Sequence, residues 1–150
     1  MDKHVQSTFR FNGYRVKNIQ FYMNEEFEPR QPIEIDFAID IEIGLTEDCD
    51  KATVILHSRV FEHAVEHDYP FSLAVSIEGL FSSSENVTHD ELMELCEING
   101  TATLFPFLRS VVADITRAAN VDPLILPLVN VYQLIQTQKE QDGAKTGHSE

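Results

Sequence analysis

The sequence predicts an α+β domain built from a four-stranded antiparallel sheet, meander-type, with helices packed on one face. Three observations carry this reading. Residues 9–81 are rich in β-branched and aromatic residues and alternate with a period of two. Short polar or proline-bearing breaks divide that half at regular spacing. After Ser82 the apolar period changes to that of a helix.

Phe9 to Met23 (FRFNGYRVKNIQFYM) is the first strand, with Asn12-Gly13 as a kink or bulge. Glu28-Pro-Arg-Gln-Pro32 breaks the chain before the second, Ile33 to Ile43. There the odd positions Ile33, Ile35, Phe37, Ile39, Ile41 and Ile43 are apolar. Glu34, Asp36, Asp40 and Glu42 stand between them. Side chains alternate across a strand, so one face is aliphatic and the other acidic and wet. Thr46 to Asp50 is a polar turn, Ala52 to Glu62 a third strand and Tyr69 to Phe81 a fourth. Ser82 to Val87 links to the helical half.

Thr88 with Glu91 forms a capping box for a short helix that Asn99-Gly100 ends. Pro106 suits the first residue of a longer helix with a stripe of Leu104, Leu108, Val111, Val112, Ile115 and Ala119, which covers the aliphatic sheet face. That helix stops at Asn120. Asn130 caps a last helix over about Val131 to Lys139. Residues 1–140 read as one domain and 141–150 as a disordered polar tail.

Composition excludes several classes. Hydrophobic residues at 43% suit a globular chain, and no apolar run crosses a bilayer, so no membrane insertion is expected. The net charge of −14 repels phosphate backbones and disfavours nucleic acid. The start, MDKHVQSTFRFNG, lacks the apolar stretch of a secretory signal, which predicts a cytoplasmic protein. Cys49 and Cys96 are far apart, as suits a reducing compartment.

Catalytic motifs are weak. His63-Ala-Val-Glu66-His67 matches a zinc-binding H-x-x-E-H pattern, which needs a helix to bring both imidazoles to one face. Here it falls at the end of a strand and runs into Asp68-Tyr-Pro70. The sequence therefore predicts a polar hairpin connection in which His63 and His67 do not share a face. The enzyme alternative, with His63, Glu66 and His67 on a metal, rests on that match alone. Cys96 reads as a small buried residue, because no neighbour in sequence would lower its pKa. No catalytic residue, metal or cofactor is assigned.

What remains is surplus apolar surface. Asn120 to Asn130 reads NVDPLILPLVN: Pro123 and Pro127 forbid a regular helix, yet Leu124, Ile125, Leu126, Leu128 and Val129 are apolar. These side chains either seal a core edge or an oligomer interface, or line a groove for another chain. The two readings are compatible.

Leu104-Phe-Pro-Phe107 with Arg109, then Leu124-Ile-Leu-Pro-Leu-Val-Asn130 and a short final helix, resemble the SecB protein-export chaperone family. Lys17-Asn-Ile-Gln-Phe21 and Gly79-Leu-Phe81 add to the likeness, which covers roughly residues 9 to 139. The resemblance implies a twisted four-stranded sheet, a homotetramer assembled as a dimer of dimers, and ATP-independent holding of unfolded preprotein clients in apolar grooves. It implies client contacts at Phe37, Ile39, Leu124, Ile125, Leu126, Leu128 and Ile135, and delivery to the SecA motor. The family docks that motor partly through carboxylates of the first and fourth strands. The matching positions here are Asn18, Tyr22, Ser72 and Ala74, none of them acidic, which weighs against SecA docking. Glu34, Asp36, Asp40 and Glu42 offer an acidic face on the second strand instead. Some relatives protect an antitoxin, so a dedicated adaptor for one partner is the alternative.

Overall fold

The computed structural model describes residues 8–29, 32–84 and 86–147. Four strands, β1 (Phe9–Met23), β2 (Phe37–Leu45), β3 (Lys51–Val60) and β4 (Phe71–Ser83), form one antiparallel sheet in the order β1-β4-β3-β2. The meander therefore holds for β2-β3-β4 only. β1 pairs with β4 at the far edge, from Phe9 opposite Ser83 to Met23 opposite Phe71. The proline-bearing connection is too long for a hairpin turn and carries the chain to the other edge of the sheet. Arg30 and Gln31 of that break lie outside the described residues, as do residues 1–7 and Glu85 of the second linker. Asn24 anchors the start of the crossing: its N–H donates to the Pro70 carbonyl at 3.1 Å and its carboxamide to that of Tyr69 at 2.9 Å.

The Asn12-Gly13 bulge is present. The β1–β4 register shifts between Phe11 and Tyr14, where Gly13 takes φ 120, a value side-chain-bearing residues rarely adopt. β2 begins at Phe37, later than Ile33. Its partner β3 ends at Val60, opposite Phe37, and the chain turns away at Phe61 (φ 54), so residues 33–35 have no strand beside them. Alternation does the rest. Ile39, Ile41, Val54, Leu56, Val75 and Ile77 are buried on one face, while Asp40, Glu42, His57, Arg59 and Ser76 stand on the other.

A single turn, α1 (Ala64–His67), joins β3 to β4. α2 (His89–Leu95) opens with the expected capping box: Thr88 Oγ1 accepts from Glu91 N–H and Glu91 accepts from Thr88 N–H, both at 3.1 Å. Asn99-Gly100 does not end it. The helix continues through one π-helical turn, Cys96–Gly100, into α3 (Thr101–Ala118). Gly100 has φ −62, so it serves close approach, not termination: a Cβ there would lie 2.9 Å from Val54 Cγ2. Pro106 accordingly lies inside α3 and not at its start. The helix tolerates it because Ala102 and Pro106 are both on the exposed side, where water satisfies the carbonyl that loses its partner. Leu104, Leu108 and Val112 bury the opposite side against the sheet, with Val111 and Ile115 half-buried on the flank.

α4 (Val131–Gly147) begins where expected: Asn130 Oδ1 accepts the Gln133 N–H at 3.1 Å. It runs past Lys139 through the stretch read as a tail, as far as Gly147. Residues 148–150 lie outside the described residues.

Candidate functional site

α3 ends at Ala118, and Asn120, just past the cap residue Ala119, takes a φ of 63, the left-handed conformation that asparagine tolerates. The chain then runs extended, and its side chains alternate from Pro123 to Pro127, after which Leu128 also faces solvent. Leu124 and Leu126 point into the core, with Leu126 fully buried, whereas Ile125 is 56% and Leu128 80% exposed. Two polar groups of α3 hold this conformation. Thr116 Oγ1, itself buried, accepts the Leu124 N–H at 2.9 Å, and Arg109 Nε donates to the Leu126 carbonyl at 2.7 Å. Pro123 and Pro127 both stand on the exposed side, where a missing N–H costs nothing.

The segment delivers α4 to the free edge of β2. Ile135 is buried there, Lys139 Nζ lies 3.1 Å from Glu97, and the Gln138 carboxamide bonds both backbone groups of Ile41. Between β2, the extended segment and α4 opens a cavity of about 480 Å³, with Phe37, Ile39, Leu128, Val129 and Leu134 as its apolar wall and Arg59 and Gln133 at its rim. Beyond Gln138 a second cavity of about 210 Å³ continues along Ile41, Ile43, Met93 and Ile135. Both are open to solvent, as suits long flexible occupants and not a small enclosed ligand.

Of the residues singled out from sequence, Phe37, Ile39 and Leu128 meet in the first cavity and Ile135 in the second. Ile125 is exposed but lines neither cavity, while Leu124 and Leu126 are core residues. Ile41, Ile43, Leu134 and Gln138 were missed, while Val129 was read as part of the apolar segment without being assigned a client contact. The isoleucines continue the odd-numbered series already visible in β2, whereas Gln138 carries no sequence signal.

The acidic residues stand elsewhere. Glu34 and Asp36 precede β2, and Asp40 and Glu42 lie on the outer sheet face. Asp40 is bonded by Arg59 at 2.8 Å and Glu42 by His57 at 2.9 Å. Tyr22 pairs with Ser72 and Asn18 with Ser76 on the opposite side of that face, with Ala74 between, so the acids and the family-matched positions form separate patches. His57 Nδ1 also contacts Ser76 Oγ at 2.7 Å. Acid, imidazole and hydroxyl in this order suggest a nucleophilic relay, but Ser76 sits mid-strand, paired on both sides by Asn18 and His57. Its backbone serves the sheet and offers no oxyanion hole, so the trio is a cross-strand ladder.

His63 to His67 lies in the connection between the paired strands β3 and β4, as expected, but it is wound into a helical turn, so that the two imidazoles meet where they were expected not to share a face. The two rings meet edge to face with centroids 6.2 Å apart, and Glu66 lies 3.9 Å from His63 Nδ1. Left-handed backbone at His63 and Asp68 bounds the turn, and i, i+4 spacing along it brings the rings together. Among the described residues, no group of three or more His, Cys, Asp or Glu is placed to hold a metal. Cys96 is buried, and burial together with the Glu97 charge pushes its thiol up to about 11, far from a nucleophile's range. No helix among the described residues is long and apolar enough to cross a membrane.

Comparison with known proteins agrees with this architecture. The family described as preprotein translocase subunit SecB matches residues 3–142. An uncharacterized protein of Methanocaldococcus jannaschii is 32% identical, covering 97% of this chain and 96% of its own. The protein-export protein SecB of Paramagnetospirillum magneticum is 26% identical, covering 83% of this chain and 77% of its own. Among solved structures, a SecB-like chaperone of Mycobacterium tuberculosis in complex with an antitoxin peptide superposes with a TM-score of 0.66. It is 19% identical and covers 81% of this chain and 91% of that one.

Proposed function

Because the chain belongs to the SecB family, we propose that it is an ATP-independent holdase that keeps unfolded preproteins export-competent in the cytoplasm. The observation that carries this reading is the open apolar trough along the β2 edge, with Phe37, Ile39 and Leu128 in its wall. Leu124 and Leu126 belong to the buried core, and Ile135 is buried in the lining of the second cavity. Unfolded chains expose scattered apolar side chains, and each one buried contributes about 25 cal/mol per Å² without demanding a fixed geometry. Many shallow contacts in series bind avidly and tolerate sequence variation. Holding needs no bond-making chemistry. The charge of −14 attracts basic client segments and keeps a sticky surface soluble.

The working form in this reading is a homotetramer, a dimer of dimers. Tyr14, Val16, Ile19 and Met23 on the helix-side face of β1 are exposed in the single chain, as is Phe107 of α3. An apolar strip on an edge strand is a surface that a second copy would cover.

A second reading, a chaperone dedicated to one partner without SecA docking, is favoured by two observations. The mycobacterial SecB-like chaperone is bound to an antitoxin peptide. The positions matching the family's motor-docking carboxylates, Asn18, Tyr22, Ser72 and Ala74, are all neutral. An acidic contact with a motor would have to use Asp40 and Glu42, already engaged by Arg59 and His57.

Size exclusion with light scattering tests the holdase, with a slow-folding client added unfolded or native. A tetramer that retains the unfolded form and ignores the native form supports it. Retention of neither form sinks it. Competition then separates the two readings: unrelated unfolded proteins displace a client from a general holdase but not from a dedicated one.

A further inference from the structure

β2 is an edge strand, and its outward backbone groups can be identified. The Asp36 carbonyl accepts from Phe61 N–H at 2.8 Å, so even-numbered positions face β3 and odd-numbered ones face the free edge. At Ile41 that edge is occupied. Its N–H donates to Gln138 Oε1 at 2.6 Å, and its carbonyl accepts from Gln138 Nε2 at 2.7 Å. A primary carboxamide bonded to both groups of one residue reproduces the exchange that a neighbouring strand makes at a hydrogen-bonded pair. Ile39 and Ile43, on either side, turn their backbone groups to the same edge. Gln138 also lines both cavities and stands between them.

We propose that Gln138 holds the place of a client's backbone: an extended client segment displaces its carboxamide and adds to β2 as a further strand. This rests on the holdase reading and names the chemistry of recognition within it. The occupant is a peptide main chain, which every unfolded protein presents whatever its sequence. At Ile41 two hydrogen bonds are exchanged for two of the same kind, so displacement there is close to neutral, and pairing at Ile39 and Ile43 is gained. With Gln138 turned aside, the two cavities join into one trough from Phe37 to Ile43, about 20 Å of strand. Client side chains on one face then meet Phe37, Ile39, Leu128 and Leu134. In the absence of a client, the same carboxamide shields an edge that would otherwise recruit any exposed strand.

The test is amide hydrogen exchange on the full chain labelled at isoleucine nitrogen, with and without reduced, alkylated pancreatic trypsin inhibitor as a permanently unfolded probe. Exchange at Ile39 and Ile43 is expected to slow by about tenfold or more when the probe binds. In the Gln138→Ala variant the probe should bind about fivefold more tightly, because no internal competitor is displaced. A probe that binds while both amides exchange unchanged overturns strand addition and leaves the groove standing. Weaker binding by Gln138→Ala also overturns it, since the residue would then be a brace for α4. No probe binding at all takes down the holdase reading and this inference with it.

Discussion

Thr116 Oγ1 accepts the backbone N–H of Leu124 at 2.9 Å while donating into its own helix at Val112, also at 2.9 Å. One buried hydroxyl thus fixes where α3 stops and how the extended segment leaves it. Thr116→Val keeps the shape but strands a buried N–H, so stability in urea should fall by about 1–3 kcal/mol. Thr116→Ser should stay closer to wild type. Equal stability of all three proteins would mean that the bond does not hold the segment.

Leu126 and Leu128 are two residues apart and should respond in opposite ways. Leu126 is fully buried, so Leu126→Asp places an unpaired charge in the core and should prevent folding, seen as lost near-ultraviolet dichroism. Leu128 is 80% exposed, so Leu128→Asp should keep the melting temperature within a few degrees of wild type and weaken unfolded-client binding about tenfold. A Leu128→Asp protein that binds clients normally would remove that residue from the groove.

Gly100 inverts the usual helix rule. Alanine in place of glycine within a helix ordinarily stabilises by about 1 kcal/mol. At Gly100 the new methyl would lie 2.9 Å from Val54 Cγ2, so Gly100→Ala should lower the melting temperature. The double variant Gly100→Ala, Val54→Ala should recover part of that loss. An additive double variant would show that the two sites do not press on each other.

The two cysteines should differ in reactivity. Burial and Glu97 push the Cys96 thiol up to about 11, so at pH 8 only about one part in a thousand is thiolate, and it is enclosed. Cys49 is half-buried in the β2–β3 turn. Ellman's reagent should label Cys49 in the native protein and reach Cys96 only after denaturant is added. Rapid labelling of both would contradict the packing of the π-helical turn, Cys96–Gly100, on the sheet.

Local periodicity made much of this fold readable. The span of β1, the inward odd positions of β2, the Thr88 capping box and the Asn130 cap are each written in neighbouring residues. Pairing between β1 and β4 is not, because strand partners distant in sequence leave no local mark. Asn99-Gly100 imitated a helix stop, since glycine serves both left-handed turns and close approach, and only the position of Val54 tells which. The candidate site was half legible. An extended run alternates, but which leucines face inward depends on where Thr116 fixes Leu124, and the break in phase at Pro127-Leu128 leaves no mark in the sequence. Gln138, on a polar helix, gave no sign that it would reach across to β2.

The alternation from Pro123 to Pro127 gives this connection an unusual kind of rigidity. Surface connections commonly absorb inserted or deleted residues. Here a single deletion between Thr116 and Leu124 would invert the phase of the stretch up to Pro127, turning Leu124 and Leu126 toward water and Ile125 into the core. It would also draw the start of α4 along the β2 edge and carry Gln138 off Ile41. Drift in composition is open to the outward positions of this segment; drift in length is not.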